Sequence, residues 1–324
     1  MSEPILQIDD LSLAFSKPRS LADMLARRPR QVVRALIDVS LSVQAGETLG
    51  IVGESGCGKS TLARAIVRLV APQKGSIHFE GRNVTHLKGR ALRAYNRRVQ
   101  MMFQDPYSSL NPRMTVRQTL AEALHVHAMR PAAEIPARIA ELLDLVRLPR
   151  GAADKYPHEF SGGQRQRIGI ARALAVEPAC LVADELVSAL DVSVQAQVVN
   201  LLLDLQARLN LTVLFVAHDL RLVRHVSHRV AVIYLGSIVE IGPSDSLFAA
   251  PAHPYSQALL AAAPSLDPAE RRSAPAITGE LPSPLAIPPG CPFHVRCPIA
   301  TDRCRSEKPL LRPLGAGQVA CHHA

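Results

Sequence analysis

With 324 residues, 48% of them hydrophobic and 20% charged, the chain is long enough to bury one large core with an appendage and has the make-up of an ordinary globular protein. Its formal charge of +9 suits an anionic partner, but aromatics are 4% and Trp is absent, so no stacking platform accompanies the basic runs and nucleic acid is not the expected partner. Prolines and a histidine break the longest uncharged stretch, Ser246 to Leu266, and MSEPILQIDD lacks the basic and apolar regions of a secretory leader, so neither a membrane span nor export is expected.

Ile5 to Phe15, ILQIDDLSLAF, alternates loosely and predicts a strand. After a basic insertion from Ser16 to Val33, ALIDVSLSVQAGE predicts a second strand closing on a turn. TLGIVG reads as a continuous apolar strand running into a glycine loop, and STLARAIVRLV follows with helical spacing. From Asp105 to about Glu177 the pattern is helical, ELLDLVRLP being its clearest amphipathic piece. CLVAD and LTVLFVAH then return as short buried strands around the helical SVQAQVVNLLLDLQARL. Strands alternating with helices predict an α/β fold whose parallel sheet is covered on its faces. After Pro264 prolines become dense and Cys291, Cys297, Cys304 and Cys321 follow, which places a boundary between residues 1–264 and 265–324.

GESGCGKS satisfies G-x-x-x-x-G-K-[ST] at every position. From Gly53 through Ser55, Gly56 and Cys57 to Gly58, glycines let the backbone curl so that its N–H groups and the positive end of the next helix converge on phosphate oxygens. Lys59 is then expected against the β and γ phosphates, Ser60 on Mg²⁺ and Thr61 at the α phosphate. CLVADE supplies the carboxylates that such a loop needs, Asp184 for the metal and Glu185 as base to the attacking water. Gln104 and His218 also close apolar strands, where ligands of such sheets collect. HEFSGGQRQRIG adds a second glycine pair at a predicted helix start, at Ser161, Gly162, Gly163 and Gln164.

In order, GESGCGKST, the glutamine of FQDP, FSGGQ, CLVADE, SALD and the histidine of VAHD resemble the ATP-binding cassette proteins of membrane transporters, from about Ile5 to Pro264. The resemblance implies a P-loop NTPase cassette with an antiparallel β subdomain and a helical subdomain at about 105–177, using ATP and Mg²⁺. It also gives the second glycine pair a purpose: Ser161, Gly162, Gly163 and Gln164 complete the site of an opposing cassette in a head-to-tail dimer. Asp191 of SALD is then expected at that interface, His218 at the γ phosphate, and Gln104 on Mg²⁺, relaying nucleotide state to the membrane subunits. Phe15 is either an adenine-stacking residue or an ordinary strand aromatic. One departure stands out: Leu186-Val187 follows Asp184-Glu185 where the family commonly has Pro-Thr.

The tail GELPSPLAIPPGCPFHVRCPIATDRC, with its terminal CHH, and FQDPYSSLNPRMTV resemble the dipeptide, oligopeptide and nickel importer group. The tail cysteines have neither the paired spacing of a zinc ribbon nor a ferredoxin run, so disulfides, reduced thiols and a structural metal all stay open by spacing. The resemblance implies a [4Fe-4S] cluster on Cys291, Cys297, Cys304 and Cys321, with zinc as the alternative and His294, His322 or His323 able to replace one ligand. Cys57 and Cys180 belong to the loop and to a strand. The group further implies a peripheral protein on the cytoplasmic face of the membrane, two permease subunits, an extracytoplasmic binding protein and import of a peptide-like solute. The insertion resembles that of the second of two sister cassettes, so a heterodimer is expected, with a homodimer as alternative. The rival reading is a soluble cassette ATPase acting on ribosomes or DNA.

Overall fold

The structure, a computed structural model, describes residues 3–16, 19, 30–103, 110–262, 279 and 282–324. Gln104, Asp105 and Pro106 of FQDP, most of the Ser16–Val33 insertion and the boundary at Pro264 lie outside the described residues.

Strands β1 (Leu6–Ser16) and β2 (Val32–Val43) pair antiparallel, Leu6 opposite Val43 and Phe15 opposite Val33. Period-two alternation buries Leu6, Ile8, Leu11 and Leu13, and the looseness of that alternation is a register shift beside Asp10, whose φ is 47°. The apolar β3 (Thr48–Val52) is buried throughout and feeds the glycine loop and helix α1 (Lys59–Ile66). β4 (Lys74–Phe79) and β5 (Arg82–Asn83) complete an antiparallel sheet of order β2-β1-β4-β5.

α2 (Gly89–Arg98) and β6 (Val99–Met102) lead to the helical region. There α3 (Val116–Val126), opened by a Thr115–Gln118 capping box, α4 (Ile135–Leu145) and α5 (Gly162–Leu174) pack on one another. β7 (Cys180–Asp184), α6 (Val192–Leu209), β8 (Thr212–Val216) and α7 (Leu220–Val226) follow. The chain then forms β9 (Arg229–Tyr234), β10 (Ser237–Pro243), α8 (Ser244–Ala249) and α9 (Pro254–Ala261). It ends with α10 (Asp302–Ser306), β11 (Arg312–Leu314) and β12 (Gly317–Val319).

These elements fall into two compact units, one of Met1–Val43, Leu49–His86 and His218–Ala324, the other of Gln44–Thr48 and Leu87–Ala217. In the second unit β6, β7 and β8 run parallel, and every residue of β7 and β8 is buried, as apolar runs of this kind require. In the first, β9 runs parallel to β3, but β10 and then β12 and β11 add antiparallel strands. The strands of the first unit thus end antiparallel, because β9 turns back at once through Leu235-Gly236 instead of crossing over through a helix.

The cysteine-bearing tail groups with the first unit. Its β11–β12 hairpin extends the edge of β10, with Val319 opposite Glu240, and Lys308 meets Asp38 of β2 at 3.1 Å. The ammonium groups of Lys74 and Lys308 hold the Asp38 carboxyl below its ordinary range, a surface contact of small energetic weight. Among the described residues no helix is long and apolar enough to cross a membrane.

Candidate functional site

The phosphate loop takes a backbone that only glycine adopts easily. Gly53 lies at φ +152° with Ile233 O 2.2 Å from where a Cβ would sit, and Gly58 at φ +112° with Ala35 O at 2.4 Å. Gly56, at φ +79°, has nothing within 4 Å, so this side of the loop is open. Gly58 precedes α1 without a side-chain cap, and no acidic residue occupies the first turn, which leaves the positive helix end for an anion.

Lys59 is 5% exposed, and its Nζ donates to Gly53 O at 2.7 Å and Glu54 O at 3.0 Å, so the ammonium is seated on the loop's own carbonyls. The Cys57 side chain is buried under the loop, where burial pushes its thiol up against the opposing pull of Lys59. Its carbonyl accepts from Gly236 N–H at 2.8 Å, fastening the loop to the β9–β10 turn. Ser55, Ser60 and Thr61 lie in the same loop and first helical turn, as the spacing predicted.

The first unit also holds Phe15, 43% exposed on β1, and His218, exposed just before α7, whose first N–H groups are capped by Asp219.

In the second unit Asp184 closes β7 and is buried. Glu185 follows at φ 49°, its N–H donating to Val216 O at 2.9 Å and its carbonyl accepting from the Ser188 hydroxyl at 3.1 Å. A left-handed non-glycine residue persists only where its neighbours hold it, and here Leu186 and Val187 are both buried beside it. Leu186-Val187 thus fill core positions while the turn that carries Glu185 is kept.

Ser161 caps α5 in a reciprocal box, its Oγ accepting from Gln164 N–H at 3.4 Å while Gln164 Oε1 accepts from Ser161 N–H at 3.0 Å. Arg165 is buried and donates to Pro157 O at 2.6 Å, bracing the chain before the cap. Gly163 has a packing reason for lacking a side chain, since a Cβ there would meet Val194 of α6 at 2.3 Å. Asp191 begins α6 with its side chain exposed, beside Val192, which is 81% exposed. Two short loops of this unit thus present polar and apolar groups outward.

The tail cysteines do not form the predicted ligand set. Among the described residues no three His, Cys, Asp or Glu side chains stand together as a group able to hold a metal ion, and none of the cysteines is in a disulfide. Burial, reinforced by Cys304, Cys297 and Cys321, raises the Cys291 thiol to about 11, and burial also raises Cys297. Cys304 Sγ lies 3.4 Å from His323 Nε2, while His294 Nδ1 and His322 Nε2 turn to the carbonyls of Cys291 and Glu307. No metal-holding group is therefore found in the tail among the described residues, although Cys304, Cys297 and Cys321 stand near enough to act on the Cys291 thiol.

What the tail does carry was not legible in its spacing. Phe293 enters a fully buried cluster with Tyr234, Tyr255 and His253, its ring 5.2 Å from Tyr234 edge-on and 5.5 Å from Tyr255. Arg296 donates both Nη groups to Glu54 of the phosphate loop, at 2.8 and 3.0 Å. The only sequence hint was a lone arginine between the cysteines of CPFHVRCP.

His253 Nδ1 accepts from Tyr255 N–H at 3.0 Å, and burial depresses its pKa to about 4. The folded protein therefore keeps a neutral imidazole that the unfolded chain protonates below about 6.5. Stability is expected to be full above that value, to fall as pH drops from about 6.5 to about 4, and to lose at most ~3 kcal/mol from this group. Denaturant midpoints across that range check this, and His253→Asn should flatten the slope.

An ABC transporter family model matches residues 36–188, and the oligopeptide/dipeptide transporter C-terminal region matches residues 239–304. A probable peptide ABC transporter ATP-binding protein of Sinorhizobium fredii is 51% identical over 99% of this chain and 90% of its own length. A putative oligopeptide transport ATP-binding protein of Bacillus subtilis is 47% identical over 98% of this chain and 95% of its own. Among solved structures, cbiO1 of Clostridium perfringens superposes with a TM-score of 0.65 at 25% identity, covering 76% of this chain and 92% of that one. The dimeric cassette MJ0796, in a post-hydrolysis state with ADP and Pi, gives 0.62 at 26% identity over 74% of this chain and 98% of that one. With a glycine-shaped loop seating its lysine, a strand end that buries Asp184 just before Glu185 and a capped serine-glycine helix start, the chain belongs to the ATP-hydrolysing ATP-binding proteins of ABC transporters, in the branch that carries the oligopeptide/dipeptide C-terminal region.

Proposed function

We propose that this chain powers an ABC importer of di- or oligopeptides, lying peripherally on the cytoplasmic face of the membrane against two permease subunits, with an extracytoplasmic binding protein delivering the solute. What most supports the nucleotide side of this reading is the loop in which Gly53 and Gly58 hold backbone that other residues resist while Lys59 sits on two loop carbonyls. The peptide side rests on the tail's match and on what the relatives are called.

In this reading the N–H groups from Ser55, Gly56, Cys57 and Gly58 to Thr61 and the Lys59 ammonium bind the triphosphate of ATP. Ser60, Asp184 and Gln104 hold Mg²⁺, which when bound neutralises phosphate charge. Glu185 accepts the proton of the attacking water, His218 faces the γ phosphate and Phe15 stacks on adenine. Ser161, Gly162, Gly163, Gln164 and Asp191 serve the nucleotide of an opposing cassette, a sister chain. Closure of the two halves then depends on the γ phosphate, and hydrolysis releases it. No step involves the tail cysteines; iron and zinc analysis of protein purified without oxygen tests their occupancy, a colourless, iron- and zinc-free and active preparation confirming plain thiols.

The test is reconstitution with the permeases and sister cassette in vesicles. ATP-driven uptake of a labelled peptide is expected, abolished by Lys59→Ala. Hydrolysis stimulated by ribosomes or DNA and indifferent to the permeases would favour the soluble ATPase instead.

A further inference from the structure

Arg296 of the C-terminal tail reaches the phosphate loop at Glu54, and that residue is gripped at every polar group it has. Its carboxylate takes the bidentate pair from Arg296, whose side chain is only 6% exposed. Its N–H donates to Tyr255 Oη at 2.9 Å. Its carbonyl accepts from Lys59 Nζ at 3.0 Å and from Cys57 N–H at 3.3 Å. Arg296 and Tyr255 are themselves fixed. Arg296 Cζ lies 5.9 Å from the Tyr234 ring centroid, and the Tyr234 and Tyr255 rings are 4.6 Å apart, with Phe293 of the tail wedged against both.

Glu54 is one of the free x positions of G-x-x-x-x-G-K-[ST], and an acidic residue there is a poor choice beside a triphosphate, because an unpaired carboxylate repels the ligand. A guanidinium matched to it in fork geometry cancels that charge and also fixes where the residue's backbone lies. The carbonyl on which Lys59 rests is part of that same residue, so the position of Glu54 sets the position of the lysine.

We propose that Arg296 is a positioning residue of the nucleotide site: the tail is an intramolecular clamp that neutralises and orients Glu54, presenting the loop and Lys59 for a nucleoside triphosphate. This deepens the nucleotide reading above and rests on it. The clamp needs no metal in the tail, and it gives the C-terminal extension a task at the site of hydrolysis.

The experiment compares binding of a fluorescent ATP analogue, with melting temperature recorded in parallel, for the full-length protein, Arg296→Gln, Glu54→Gln/Arg296→Gln, Tyr255→Phe and Lys59→Ala. Arg296→Gln strands the Glu54 carboxylate and should raise the Kd about tenfold, a loss that narrows as salt screens the repulsion. The double variant removes the stranded charge and should return the Kd to within about threefold of the unaltered protein, a recovery that lost packing alone does not produce. Tyr255→Phe leaves the Glu54 N–H without its acceptor and should weaken binding about threefold even if Arg296→Gln does not fold. An unchanged Kd in Arg296→Gln overturns the clamp, as does a loss that the double variant fails to restore or, where Arg296→Gln does not fold, an unchanged Kd in Tyr255→Phe. Normal binding by Lys59→Ala sinks the underlying nucleotide reading instead.

Discussion

Replacing Glu185 with glutamine is expected to slow ATP turnover about a thousandfold while leaving ATP affinity within about threefold. The side chain leaves the end of a wholly buried strand, and its backbone is pinned by Val216 O on one side and the Ser188 hydroxyl on the other. Glutamine keeps the size and the turn but cannot take a proton from water, so binding and chemistry separate. Nucleotide should then accumulate unhydrolysed on the protein, read as retained ATP in a filter assay beside a phosphate-release assay. Turnover that survives the substitution would remove Glu185 from the chemistry.

Lys59→Ala is expected to weaken ATP binding by about a hundredfold or more and to abolish turnover with it. Two effects coincide. The ammonium proposed to face the phosphates disappears, and the carbonyls of Gly53 and Glu54 lose the donor that gathers them, at 2.7 and 3.0 Å in the structure. Lys59→Arg separates these effects: it keeps the charge but brings a planar fork into a seat built for a compact ammonium, so it should restore part of the affinity and little of the turnover. Titration calorimetry with unaltered circular dichroism is the measurement; near-normal affinity in Lys59→Ala would mean that the loop binds something other than a triphosphate.

The loop, the strand end and the helix cap that carry the candidate site were readable from the residues because each is local. G-x-x-x-x-G-K-[ST] closes within one turn, an apolar strand ending in Asp-Glu states its own geometry, and Ser161 with Gln164 spells a reciprocal cap at fixed spacing. Strands β1, β3, β7 and β8 were legible by the same means, through alternation or continuous apolar runs. The metal reading of the tail finds no ligand group among the described residues, and cysteine spacing alone does not say where the four sulfurs come to lie. The sheet's antiparallel end was missed because the β9–β10 turn is decided by a two-residue connection, Leu235-Gly236, inside a continuous apolar run.

The order of the motifs alone thus determined that this chain folds as a cassette and binds phosphate. Tertiary structure alone decided that its tail joins the phosphate loop: Arg296 and Glu54 lie 242 residues apart, and no periodicity or spacing encodes a pair whose partners meet only when Phe293 is buried among Tyr234, Tyr255 and His253. Local patterns register what neighbours in the chain do to one another; a contact across the fold is set by which apolar surfaces find each other first, and the charges they carry are brought along.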